Sequence, residues 1–275
     1  MEPPLFADLA LSRRLEAAEG YACAQFALVR RRLFPESASE AVRIAGADVV
    51  YDGVDSPTTQ TFGLGMHQEA TPDALAAIER FFSERGSSTQ HEISPFVGIS
   101  TLRLLCDRGY RPMEISNVLY LATQSADPPR VGGPPSGVDV RLIGPAEATL
   151  WTEVSTRGWT HEHPELRDFL DQTGALLTAR EGMACFLALL DGIPAAAGAL
   201  SIYQGIALLA GASTVPEHRS RGLQAALLQA RIAYAREHDC DLAMMVCEAG
   251  SNSQRNSERQ LFRIAYTRIK WQKTL

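Results

Sequence analysis

The residues best suited to chemistry stand together in one stretch, Thr214-Val215-Pro216-Glu217-His218-Arg219-Ser220-Arg221-Gly222-Leu223-Gln224. A short apolar run leads into it. An amphipathic run leads out, with Leu223, Ala226, Leu227, Ala230 and Tyr234 on one helical face. A strand that turns sharply into a helix leaves the first N–H groups of that helix without partners, aimed at one spot at the positive end of the helix dipole. An anion such as a phosphate or pyrophosphate fits there. Gly222 has no Cβ to hold a ligand away, and Arg219 and Arg221 add charge and directed donors.

The elements around this turn follow from periodicity. Upstream, Val138–Ile143 alternates like a strand, and Pro145–Trp159 and Pro164–Ala179 have helical spacing. Ala184–Leu190 and Ala195–Tyr203 predict strands joined at Asp191-Gly192-Ile193-Pro194, and Ile206–Val215 predicts a third. Downstream, the continuous apolar run Asp241–Cys247 predicts a strand covered on both faces. A polar helix from Asn252 to about Gln260 and a strand at Ile264–Trp271 complete this half. The first half predicts a helix over Leu5–Leu33, strands at Ala41–Tyr51 and Thr58–Leu64, and a helix at Pro72–Arg85. A strand at Gln90–Ser94, a helix at Ile99–Asp107 and a strand at Met113–Ala122 follow. Between the halves lies Asp127–Gly137, too rich in proline and glycine for a helix or central strand. The division is therefore 1–126, a linker at 127–137, and 138–275.

Composition narrows the classes of function. Net charge is −6 with no long basic run, which argues against a broad nucleic-acid surface. No apolar run approaches the ~18–20 residues that span a bilayer, and Met1–Arg14 lacks the order of a secretory signal, so the expectation is a cytoplasmic chain. The five cysteines include no Cys-x-x-Cys pair, and neither a disulfide framework nor a structural zinc site is expected.

The order strand, Arg-x-x-Gly, helix, strand resembles the GNAT superfamily of N-acetyltransferases, whose pyrophosphate loop reads Gln/Arg-x-x-Gly-x-Gly/Ala. Arg219 and Gly222 match, while Gln224 departs from the last small position. The resemblance covers 138–275 and implies a mixed-sheet α/β fold, the acyl-CoA N-acyltransferase fold. Leu104-Leu105-Cys106-Asp107-Arg108-Gly109-Tyr110 is similar to the Gly-aromatic end of the family's fourth helix, and Phe262 stands 152 residues after Tyr110. Two tandem GNAT-like domains are expected. The first is a degenerate one, because Gly65–Pro72 has no arginine and carries Glu69.

What the resemblance implies about the site is an acetyl-CoA co-substrate and no metal. Backbone groups of Ser213, Thr214 and Val215 would pair with the pantetheine arm, and Arg219, Ser220, Arg221, Gly222, Leu223 and Gln224 would hold the pyrophosphate. Asn252, Arg255 and Asn256 open the helix where the family places a CoA contact, although Asn252 or Ser253 also suits an N-cap. The family's general-acid tyrosine falls on Ser257, with Tyr266 or a water as substitutes. A base for an ammonium acceptor needs a pKa near neutrality, and Glu248 and Glu162, the latter within Trp159-Thr160-His161-Glu162-His163, are the two sources. The function implied is direct attack of a primary amine on the thioester. The partners are acetyl-CoA and a small-molecule or peptide amine, with neither nucleic acid nor membrane, and the oligomeric state stays open, a homodimer included. Two other readings stand beside it: a non-catalytic acyl-CoA-binding module, and an acyltransferase using aminoacyl-tRNA.

Overall fold

In the computed structural model, which describes residues 5–54, 56–124, 135–161 and 164–275, the Asp8 carboxylate accepts from the Leu11 N–H and starts helix α1 (Leu9–Leu33). Left-handed Ala45 and Gly46 (φ 49° and 77°) then fold the expected single strand Ala41–Tyr51 into a hairpin, β1 (Glu40–Ile44) and β2 (Ala47–Tyr51). Next come β3 (Gln60–Phe62), α2 (Pro72–Ser83), β4 (Thr89–Ile93), α3 (Gly98–Asp107) and β5 (Arg111–Ala122). In the second half they are β6 (Val138–Leu142), α4 (Ala148–Thr160), α5 (Arg167–Thr178), β7 (Met183–Leu190), β8 (Ile193–Tyr203) and β9 (Ile206–Thr214). The chain ends with α6 (Leu223–Glu237), β10 (Leu242–Glu248), α7 (Asn252–Arg259) and β11 (Arg263–Lys273).

These elements gather into two units. The first holds the residues up to Leu119 together with Val246–Ser251 and Ile264–Leu275. Its strands run in the order β1-β2-β3-β4-β11-β5. Strands β3 and β4 are parallel, so α2 serves as the crossover between them. Leu75, Ile78 and Phe82 of α2 pack with Val49, Ile93, Leu105, Tyr110 and Trp271 into one core. Trp271 explains a difference from the expected division. Strand β11 was expected to close the second half, but it lies antiparallel to β4, with Trp271 opposite His91, and its core contacts belong to the first unit.

The second unit holds Tyr120–Met245 and Asn252–Arg263, with strands in the order β10-β9-β8-β7-β6. Neighbours from β6 to β9 are antiparallel, and β9 and β10 are parallel across α6. Asp191 and Gly192 (φ 50° and 80°) make the β7–β8 turn alone, so Ile193 and Pro194 already belong to β8. Trp151 of α4 is fully buried, and its Nε1–H donates to the Phe186 carbonyl at 3.0 Å, pinning the helix to the sheet.

Each unit thus repeats antiparallel strands, a crossover helix, a parallel strand and a further helix. The ends of those last helices match closely. In the first, Tyr110 N–H donates to Leu105 C=O and Gly109 N–H to Cys106 C=O; in the second, Phe262 N–H donates to Ser257 C=O and Leu261 N–H to Glu258 C=O. Gly109 and Leu261 both take positive φ, 83° and 68°, and both aromatics are buried. This is the Schellman termination, with leucine in the second unit where glycine would be unstrained.

Candidate acyl-CoA site

Strand β9 carries one residue more than β8 over the same span: Ala197 faces Ser213, but Ala199 faces Ala210. The extra residue is a β-bulge at Gly211–Ala212, and Gly211 adopts the left-handed φ of 61° that lets the strand bend. The parallel pairing with β10 stops at Leu208 and Met244, although β9 continues to Thr214. Bulge and early stop together release the last residues of β9 from regular pairing. Val215 is not among the free groups expected there, since its N–H donates to Ala195 C=O at 2.9 Å.

Beyond β9, Pro216 opens a 3₁₀ turn (Pro216–His218), Ser220 and Gly222 take φ of 61° and 79°, and α6 starts at Leu223. No side chain caps α6. Its first N–H groups, which cannot bond within the helix, therefore remain available to an anion at the positive end of the dipole. An added Cβ at Gly222 would meet Pro135 Cγ at 2.5 Å, so glycine is required there by space as well as by φ.

Arg219 bonds to two backbone carbonyls of the second unit. Its Nε donates to Thr214 C=O at 3.3 Å and its Nη2 to Gly158 C=O at 3.1 Å, which ties the turn to the end of β9 and to α4. Arg221 is exposed. Gln224, where a small residue was expected, donates from Nε2 to Thr214 Oγ1 at 2.8 Å. Ser213 Oγ donates to Ser155 C=O at 3.0 Å. Ser213, Thr214 and the turn 219–224 thus form one connected structure. Gly158, not singled out by sequence, lets it close: an added Cβ would lie 2.4 Å from Ser213 Oγ. A lone glycine inside a helix was the available signal of close backbone approach.

The remaining candidates separate. Asn252 and Arg255 are exposed at the start of α7 and bond each other, Arg255 Nη2 to Asn252 Oδ1 at 2.8 Å, while Asn256 is half-buried. Ser257 is not a proton donor to a cleft. It is buried, and its hydroxyl lies 2.8 Å from the Ser253 carbonyl and 2.7 Å from Met245 Sδ. Tyr266 is also withdrawn, donating its hydroxyl to Glu16 Oε1 at 2.8 Å inside the first unit. Glu162 lies outside the described residues. Glu248 is exposed and lines an open cleft of about 570 Å³ with Met113, Glu114, Ile115 and Ala249 of the first unit. Among the described residues, no group of three or more His, Cys, Asp or Glu is placed to hold a metal ion.

The corresponding helix start in the first unit is closed. Thr71 Oγ1 accepts from Ala74 N–H at 3.1 Å, Pro72 occupies the first turn, and Asp73 follows.

Residues 147–259 match the model of the acetyltransferase (GNAT) family. Solved structures agree over a greater length. A GCN5-related N-acetyltransferase from Kribbella flavida superposes with TM-score 0.65 at 16% identity, covering 91% of this chain and 95% of that one. A tandem GNAT protein of the clavulanic acid biosynthesis pathway gives 0.57 at 15% identity, over 73% and 68%. The C-terminal domain of a putative lysylphosphatidylglycerol synthetase from Agrobacterium fabrum gives 0.54 at 12%, over 94% and 93%. No curated protein matches the sequence. The GNAT family match lies largely within the second unit, and the chain has the acyl-CoA N-acyltransferase fold. No helix among the described residues is long and apolar enough to cross a membrane.

Proposed function

We propose that the chain is an N-acetyltransferase that moves the acetyl group of acetyl-CoA to a primary amine by direct attack on the thioester, and that it holds CoA in the second unit alone. The observation that carries this reading is the uncapped start of α6 bound to the released end of β9 through Arg219 and Gln224. The turn would take the pyrophosphate on backbone N–H groups with Arg221 as its cation. Ser213 and Thr214 would offer backbone groups to the pantetheine arm. Holding the thioester and a neutral amine in attack geometry does most of the work of such a reaction, and little covalent help is needed. Glu248 and Glu162 are the carboxylates proposed to take the ammonium proton. With Ser257 and Tyr266 both withdrawn, the leaving thiolate would be protonated by water.

The test is acetyl-CoA-dependent thiol release over a panel of amines, alongside calorimetric titration with CoA. Tight CoA binding with no turnover on any amine would favour the non-catalytic module. A second reading is transfer from aminoacyl-tRNA, on a fold shared with the C-terminal domain of a putative lysylphosphatidylglycerol synthetase. The net charge of −6 opposes it. Turnover that needs aminoacyl-tRNA and ignores acetyl-CoA would establish that second reading.

A further inference from the structure

Arg231 stands two turns into α6, is 3% exposed, and has no carboxylate within ion-pair distance among the described residues. Taking a guanidinium out of water without a counter-ion is costly, and an apolar side chain of the same size would usually serve stability as well or better. Burial depresses its pKa to about 10, the mark of an uncompensated charge. Its partners are backbone oxygens. Nε donates to Leu227 C=O at 3.2 Å, and Nη1 reaches Ala199 C=O at 3.2 Å and Ala210 C=O at 3.5 Å. Ala199 and Ala210 are the pair that directly borders the bulge of β9. Gly198 makes room for the guanidinium: an added Cβ would lie 3.3 Å from Cζ.

We propose that Arg231 is a positioning residue that holds the β9 bulge in place from α6, and so sets the geometry of Ser213 and Thr214 relative to the pyrophosphate turn that starts the same helix. The proposal rests on the acyl-CoA reading of the second unit. A bulge leaves carbonyls poorly matched to the neighbouring strand, and a buried unsatisfied carbonyl is destabilising. A fork of donors from a rigid helix satisfies two of them at once and fixes how far β9 stands from α6. The consequence for binding is selective. The pyrophosphate turn is carried by α6 itself, whereas the pantetheine arm would depend on where the bulge directs β9.

The experiment compares two ligands by calorimetry, CoA and 3′-phospho-ADP, which is CoA without its pantetheine arm. For Arg231→Met we expect the Kd for CoA to rise tenfold or more and that for 3′-phospho-ADP to change less than twofold, with unchanged far-UV circular dichroism. Arg231→Lys should recover part of the CoA affinity, because an ammonium can still reach one carbonyl. Should Arg231→Met not fold, Arg231→Lys and Gly198→Ala carry the test, each with a smaller loss confined to CoA. Equal loss of both ligands, or no loss, in the folded variants overturns the proposal and leaves the acyl-CoA reading intact. A wild-type chain that binds neither ligand overturns both.

Discussion

Helices α2 and α6 occupy the same place in the two units, each crossing between parallel strands, yet their first turns are built in opposite ways. In α2 the Thr71 hydroxyl accepts from Ala74 N–H, Pro72 supplies no N–H, and Asp73 places a carboxylate at the positive end of the dipole. The helix satisfies its own terminus. In α6 the leading residue is Gly222, no side chain caps it, and the first turn contains no acid. A terminus left open costs about 1 kcal/mol of capping energy, and an anion can restore it. A duplicated fold therefore need not carry a duplicated site, because a threonine, a proline and an aspartate suffice to close one. Calorimetry should find one CoA per chain, and two would break the contrast.

The largest effect is expected from Gly222→Val. The position has φ 79°, and its Cβ would meet Pro135 at 2.5 Å. Left-handed strain costs on the order of 1–3 kcal/mol, and a β-branched side chain adds a steric block where a pyrophosphate must touch the backbone. CoA binding should fall by about two orders of magnitude or more with the fold retained by circular dichroism. Unchanged affinity would place the ligand elsewhere.

A second contrast concerns buried charge. The second unit buries Arg231 among carbonyls, while the first buries Glu16 with Glu19, Glu92, Arg268 and Tyr266 around it. Arg268 bonds Glu19 at 2.6 and 2.8 Å and meets Glu16 only at 3.3 Å. Burial, with the neighbouring acids, outweighs that arginine and raises the Glu16 pKa from 4.5 to about 7. A carboxyl whose folded pKa is raised contributes stability that is full below its unfolded pKa and is lost as pH rises through the folded value. At about 1.4 kcal/mol per unit, stability should drop by about 3 kcal/mol between pH 4.5 and 8, with Glu92, also raised by burial, acting in the same direction. Denaturant unfolding as a function of pH should show this, and Glu16→Gln should flatten the slope. A slope unaffected by Glu16→Gln would assign it to other groups.

Thr71→Ala tests the closed helix directly. It should lower stability by about 1 kcal/mol, the usual worth of an N-cap, and leave CoA binding untouched. A second CoA appearing in the titration would mean that the cap alone kept that site shut.

Much of this was legible in the sequence because local chemistry dictated it. Gly222 after Arg-x-x, the apolar spacing of α6 and the buried run of β10 identify themselves without tertiary information. Three features did not. The bulge of β9 depends on the register of β8, which no local pattern encodes, although Gly211 was a hint. The place of β11 depends on which core receives Trp271, a long-range choice between two similar halves. The roles of Arg219 and Arg231 could not be read either, since an arginine beside a turn and one on a helix look the same whether they meet a ligand or a carbonyl.

The smallest effect is expected from Ser257→Ala, and its smallness is informative. The resemblance put Ser257 where the family keeps a proton-donating tyrosine. Comparison of the two units gives it another role. Ser257 lies five residues before Phe262 as Leu105 lies five before Tyr110, and each supplies the carbonyl that ends its helix by accepting from the aromatic N–H. Leu105 has no acidic proton, yet it terminates α3 with the same hydrogen bonds and is just as buried. The Ser257 hydroxyl points back along its own helix to Ser253 C=O at 2.8 Å, a local bond that slightly weakens a helix rather than serving it. Removing that hydroxyl should change kcat less than twofold and stability by about 0.5 kcal/mol or less. It should also leave the pH profile of kcat in place. A hundredfold loss of kcat with intact CoA affinity would show that α7 turns Ser257 outward during turnover, and the match between the two helix ends would then stop at the backbone.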